Sequence, residues 1–171
     1  APGNIAAMTF TNKAAREMAG RIGELVGPAR AKDLSVSTFH SFCLKILREH
    51  GHAVGVAPRF GIVDTGDQID LVSRALKEKQ WGGTVPVEDL HGAISRWKNE
   101  LLGPEDILAG KGRLAPGYDR EVFGRVYDLY ERQLKINRVI DFDDCIFKTY
   151  LLLRDDQELQ KTLAKKFRYI L

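Results

Sequence analysis

Met8-Thr9-Phe10-Thr11-Asn12-Lys13-Ala14-Ala15-Arg16-Glu17-Met18 is the stretch from which the fold of this 171-residue chain is read. Residues 5–10 form a short apolar run with a β-branched and an aromatic member, which predicts a buried strand. The run stops at Thr11-Asn12, residue types that cap helices. The period then changes, and Ala14, Ala15, Met18, Ile22, Leu25 and Val26 fall on one helical face. A strand therefore runs into a helix through a short polar turn. Amides at such a helix N-terminus suit a phosphate, and Lys13 adds a positive charge beside them. Phe10 stands at the mouth of the strand, where an aromatic ring can stack on a base. On these residues alone two readings stand: a phosphate or nucleic-acid site, and a plain strand-to-helix turn with Phe10 in the core.

The remaining chain extends the same pattern and then leaves it. Residues 34–37 alternate as a second short strand, and Thr38 is placed to cap a helix with Phe39, Phe42, Cys43, Ile46 and Leu47 on its apolar side. Strand, helix, strand, helix is an α/β pattern with a parallel sheet. From Gly51 the character changes. Residues 51–58 read as a Gly- and Ala-rich linker, residues 60–63 as a short extended piece, and Asp64 onward as helical. Ile69, Val72 and Leu76 make one face; Val87, Leu90, Ile94, Trp97 and Leu101 make another, with Pro86 placed to start that helix. Residues 110–117 form a basic, flexible loop. A long helix follows, with Val122, Val126, Tyr130 and Leu134 on one side. Asp141 is placed to cap a helix with Phe142, Cys145, Ile146 and Thr149 facing inward, a last helix covers 157–165, and 167–171 turn into an apolar strand. Residues 1–4 read as a loop.

Composition sets broad limits. A hydrophobic content of 44% and a charged content of 29% are those of a soluble globular protein. No apolar run approaches the roughly 18 residues of a membrane span, and no signal peptide is recognisable. Cys43 and Cys145 stand alone in helical patterns and read as buried thiols in a reducing compartment. The net charge is only +3, but it is unevenly placed: residues 1–52 hold seven Lys/Arg against four Asp/Glu, and the rest of the chain is balanced. The excess lies where a phosphate backbone would run.

T-F-T-N-K-A-A-R-E-M, residues 9–18, resembles motif Ia of the UvrD/PcrA/Rep type of superfamily 1 DNA helicases. Ser37-Thr38-Phe39-His40-Ser41-Phe42 resembles the family's T-F-H-S motif, and Val139-Ile140-Asp141-Phe142-Asp143-Asp144 resembles its V-D-F-D-D segment. Order and spacing carry the resemblance across essentially the whole chain. It implies an α/β, mostly helical fold: part of a RecA-like P-loop NTPase motor domain with a helical subdomain inserted into it. The motor domain would take residues 1–55 and 145–171, and the insertion residues 56–144. It also implies an ATP-dependent helicase moving 3′ to 5′ on single-stranded DNA and splitting duplex at a single-strand/double-strand junction, in repair or replication. Such a protein would be cytoplasmic, bacterial and nucleoid-associated.

A helicase motor holds ATP phosphates in a G-x-x-x-x-G-K-[ST] loop and magnesium on an acidic strand. Neither is found among these residues, and there is no initiator methionine. The expectation is a fragment of a larger helicase, inactive by itself, whose parent binds ATP and Mg2+ mainly through other residues.

By resemblance, Phe10 would face a base, Thr9, Thr11, Asn12 and Lys13 would contact backbone phosphates, and Thr38, Phe39, His40 and Ser41 would lie beside the same channel. Arg16 would join them, pair with a nearby acid or face water. Thr38 as a cap and Phe39 as core are compatible with that role. His40 has no partner that would make it a catalytic base, and no catalytic residue is assigned. His50, His52 and His91 lack metal-ligand spacing. Asp141, Asp143 and Asp144 allow a metal cluster, but their position at a helix start favours a cap, so no metal site is assigned. Lys111 and Arg113 are candidate contacts to duplex DNA or members of a solvated loop. Two further readings remain open: a motorless nucleic-acid-binding or protein-docking module, and the motor part of a helicase–nuclease subunit.

Overall fold

The computed structural model of the chain describes residues 2–83 and 85–171. Ala1, read above as part of a loop, lies outside the described residues, and Pro2–Asn4 form a single 3-10 turn. Strand β1 (Ile5–Thr9) leads into α1 (Asn12–Val26), and Thr11 Oγ1 accepts from the Ala14 N–H at 3.1 Å as the N-cap. After the one-turn helix α2 (Pro28–Ala31), β2 (Ser35–Thr38) runs into α3 (Phe39–His50). Short strand β3 (Gly61–Ile62) precedes four helices, α4 (Thr65–Glu78), α5 (Val87–Asn99), α6 (Pro104–Leu108) and α7 (Arg120–Ile136). Strand β4 (Val139–Ile140), helices α8 (Asp144–Asp155) and α9 (Gln157–Lys166), and strand β5 (Tyr169–Ile170) complete the chain. It is a mostly helical α/β chain in which the strands pair only in parallel: β2-β1-β5 in one sheet and β3-β4 in the other.

Two apolar clusters organise the helices. The larger is built from α4, α5, α6 and α7 around Trp97, Phe123, Tyr127 and Tyr130, all at most 1% exposed. The smaller joins Ile46 and Leu47 of α3 to Val56, Ile140, Cys145, Leu152 and Leu159. At Gly124 α6 crosses α7 so closely that a Cβ would stand 2.6 Å from Leu108 Cδ2, and a larger residue would have to displace that side chain.

Several expectations are corrected. Residues 51–58 are not a loose linker: Gly51–Val54 form a 3-10 turn, and Gly51 and Val56 are buried. Leu101 lies beyond α5 in a left-handed conformation, with φ 61°, because the helix has already stopped at Asn99. The face of α1 buries none of its residues, and Leu25 is 83% exposed. The basic loop is tied down: Arg120 donates to the carbonyls of Lys111 and Gly112, and Trp97 Nε1 donates to that of Arg113 at 3.1 Å. Finally, Phe142 and Ile146 point outward, 55% and 42% exposed, because buried Asp141 and Asp144 claim the inner side of that turn.

Those two aspartates belong to a buried ionic cluster. Lys98 Nζ on α5 lies 2.5 Å from Glu131 Oε1 of α7, 2.5 Å from Asp141 Oδ2 and 2.8 Å from Asp144 Oδ1. Tyr130 donates to Asp141 at 2.8 Å, the Asp144 N–H donates to Asp141 Oδ1 at 2.8 Å, and Lys148 reaches Glu131 at 2.6 Å. The N-cap position of α8 is thus Asp143, not Asp141 as expected, but Asp141 still accepts from the first helical N–H, and the same carboxylate also holds an ammonium. Burial alone would lower the Lys98 pKa, but Asp144, Glu131 and Asp141 outweigh it and raise it. Burial, then the neighbouring Glu131 charge, pushes Asp144 up to about 7. Glu131 goes the other way, to about 2: Lys98 and Lys148 overcome the burial that would raise it. The Oδ2 atom of Asp144 is buried with no hydrogen-bond partner.

Removing one member leaves buried charge uncompensated, so Lys98→Met is expected to lower the unfolding free energy by roughly 3–5 kcal/mol in urea titrations. The pH dependence has two limbs. Asp144 has a raised folded pKa, so its contribution is present below the ordinary 3.8 and is lost as pH rises through about 7. Glu131 has a lowered one, so its contribution is present above the ordinary 4.5 and is lost as pH falls towards about 2. Asp144→Asn should abolish the first limb and leave the second, as read from urea midpoints across that range.

Candidate nucleic-acid interface

Strands β1 and β2 lie side by side in parallel, with Thr9 opposite Thr38. Each of these threonines is followed by phenylalanine, so the same dipeptide ends two neighbouring strands at one level of the sheet. Phe10 and Phe39 meet there with ring centroids 5.5 Å apart. Phe10 is 89% exposed and Phe39 38% exposed, which rules out the reading that puts Phe10 in the core. Leaving a phenylalanine in water forgoes about 1.5–3 kcal/mol of burial free energy.

The row continues. His40, next to Phe39 in the first turn of α3, stacks on Phe142 with centroids 4.0 Å apart and planes 20° apart. Phe142 is the member of this row that the sequence pattern misplaced, on the inner face of α8. Asp141 and Asp144 are buried, which turns Phe142, between them, outward. Asp143 then fixes the turn: it accepts from Ser95 Oγ at 2.6 Å and from Asn99 Nδ2 at 3.0 Å.

The polar candidates divide by what their side chains already do. Thr9 is half-buried and donates to the Thr11 carbonyl, Thr11 caps α1, and Thr38 is 7% exposed and caps α3 by accepting from the Ser41 N–H at 3.1 Å. Thr38 also donates to Ser41 Oγ at 2.9 Å. These groups shape the turns. The groups left to face a ligand are Asn12, Lys13, Arg16 and Ser41, all exposed, and the first amides of the two helices, which have no intrahelical acceptor. Lys13 is nearly free, since Glu17 lies 4.0 Å away on the surface. Lys111 and Arg113 are not part of this row: Lys111 pairs with Asp106 at 2.8 Å and holds that carboxyl below its ordinary range, while Arg113 is exposed.

Among the described residues one carboxylate group has metal-like geometry, Glu131 with Asp141 and Asp144, and the Lys98 ammonium sits where a cation would. It does not fit Mg2+. His91 bonds Gln68 at 2.9 Å, a satisfied side chain rather than a ligand. Cys43 and Cys145 are free thiols whose pKa values burial raises, that of Cys145 to about 12.

Two parallel strands thus end in exposed, tilted aromatic rings beside the capped N-termini of α1 and α3. Over residues 1–171 the sequence matches the UvrD/REP helicase N-terminal domain, and the chain belongs to that family. It is 40% identical to the ATP-dependent DNA helicase PcrA of Bacillus subtilis over 99% of the chain, and 38% identical to the ATP-dependent DNA helicase Rep of Escherichia coli over 98%. PcrA of Staphylococcus aureus is 39% identical over 99%. The chain spans 22–24% of the length of these relatives.

The caps set the strand ends, so Thr38→Ala is expected to cost about 1 kcal/mol in stability and Thr38→Ser close to nothing, measured by thermal or urea unfolding.

Proposed function

We propose that this chain supplies the DNA-contacting face of an ATP-dependent DNA helicase, with a single strand running along Phe10, Phe39, His40 and Phe142. The observation that carries the reading is the Thr9–Thr38 register, which lines up two exposed phenylalanines at the ends of adjacent parallel strands. Bases stack on the rings, while Asn12, Lys13, Arg16, Ser41 and the helix-end amides of α1 and α3 meet the phosphates. Thr9, Thr11 and Thr38 hold the turns that present them. The parent moves 3′ to 5′ on single-stranded DNA and separates duplex at a junction, with Lys111 and Arg113 as candidate contacts to the duplex. It serves repair or replication in the bacterial cytoplasm, on the nucleoid. Residues 1–55 and 145–171 belong to a RecA-like motor domain in this reading, and 56–144 to an inserted helical subdomain. The parent's ATP and Mg2+ are held elsewhere: no G-x-x-x-x-G-K-[ST] loop occurs in these 171 residues, and the carboxylate cluster is filled by Lys98.

Phe10→Ala and Phe142→Ala in the parent protein should each weaken binding of a labelled oligothymidylate by roughly 1–3 kcal/mol, about 5- to 150-fold, in fluorescence anisotropy. Unchanged affinity in both variants would overturn the track. Strand affinity that ignores ATP analogues in the longest form of the protein would instead favour a motorless binding module.

A further inference from the structure

We propose that the cavity between residues 54–57, the C-terminal end of α7 and β4 is a second anion site, built for a phosphate group. It encloses about 170 Å³, room for several waters or a small polyatomic anion, and shares no residue with the aromatic row. Arg132, Lys135, Arg138 and Lys148 line it against one carboxylate, Glu131.

The cations are not equivalent. Arg132 is paired with Asp128 at 2.7 Å, and Lys148 with Glu131 at 2.6 Å. Lys135 and Arg138 have no acidic partner among the described residues, and each stands at the cavity wall. Lys135 lies against Gly55: a Cβ there would be in van der Waals contact with Lys135 Cε at 3.6 Å. Arg138 is held in a left-handed conformation, φ 53°, that a non-glycine residue rarely takes. Its N–H donates to the Lys135 carbonyl at 3.1 Å, and its own carbonyl accepts from the Gly61 N–H at 3.1 Å. The backbone at Arg138 is therefore fixed from both sides, in the left-handed position just past the C-cap of α7 that Gln80 and Leu101 take after α4 and α5. Both cations also offset the partial negative charge at the end of α7. That role needs neither a cavity nor Lys148 in its lining.

A tetrahedral oxyanion matches this lining, because guanidinium and ammonium donors approach it from several directions. The phosphate comes from a nucleic-acid backbone or from free phosphate; only the first source rests on the function proposed above.

Calorimetric titration of the intact protein with inorganic phosphate, at ionic strength held constant with chloride, tests the site. Saturable binding is expected, weakened about tenfold by Lys135→Gln, about tenfold by Arg138→Gln, and little by Arg138→Lys. Circular dichroism verifies that each variant is folded. Absence of saturable binding, or equal binding in the folded double variant, would overturn the proposal. The double variant is then titrated with duplex and single-stranded oligonucleotides. Weaker DNA binding together with weaker phosphate binding assigns the site to a backbone phosphate; unchanged DNA binding with weaker phosphate binding assigns it to free phosphate. Phe10→Ala should leave the phosphate isotherm unchanged, so failure of the aromatic track and failure of this site are read separately.

Discussion

An ammonium with no access to water has to be surrounded by oxygen, and Lys98 obtains that oxygen from three places in the chain: Glu131 in α7, Asp141 before α8 and Asp144 within it. The cluster works as a geometric lock between α5, α7 and the start of α8. Tyr130 and Lys148 complete it from the sides. The group as drawn carries two cations and three carboxylates, and Asp144 is the one that burial and Glu131 drive towards its neutral form. Apolar contacts alone would tolerate some sliding of α8 on the helical block. Hydrogen-bonded charges at 2.5–2.8 Å do not, because each ångström of separation strands a charge in a low-dielectric interior.

The lock has a consequence at the surface. Asp141 and Asp144 must both face Lys98, so the residues between them turn away. Asp143 is caught by Ser95 and Asn99, and Phe142 is delivered to the His40 ring. The position of a buried lysine on α5 therefore decides where an exposed ring stands beside α3. The other half of the row has a separate cause, the strand register that puts Phe10 next to Phe39. The row forms because these two constraints meet at adjacent residues, Phe39 and His40, in the first turn of one helix.

The local signals in the sequence were strong where the chemistry is local. Thr11 and Thr38 cap the helices that follow them, and β1, β2, α4, α5 and α7 lie close to where period and capping residues put them. The failures are non-local. Phe142 and Ile146 have the spacing of an inner face, and only a lysine 44 and 48 residues earlier in the chain reverses them. Lys98 and Glu131 did leave a trace, each being a charge next to the apolar face of its own helix, four residues after Ile94 and Tyr127. Periodicity counts such residues as solvent-facing. Partners from other helices are needed to turn them inward, and no spacing rule specifies these. Residues 51–58 failed in the same way: a Gly-rich composition reads as slack, yet Val56 is buried against α8 and α3.

For the proposed DNA track, the balance between rings and charges matters more than either alone. The row offers four aromatic faces but few cations, chiefly Lys13 and Arg16, on a chain whose net charge is +3. Affinity at such a site comes from stacking more than from counterion release, so it falls only gently with salt. Stacking is also indifferent to base identity, since every base presents a π-face. A protein that must release each base to take the next gains from contacts that are individually modest and alike. Caps, strand register and a buried ion cluster together decide where the rings stand.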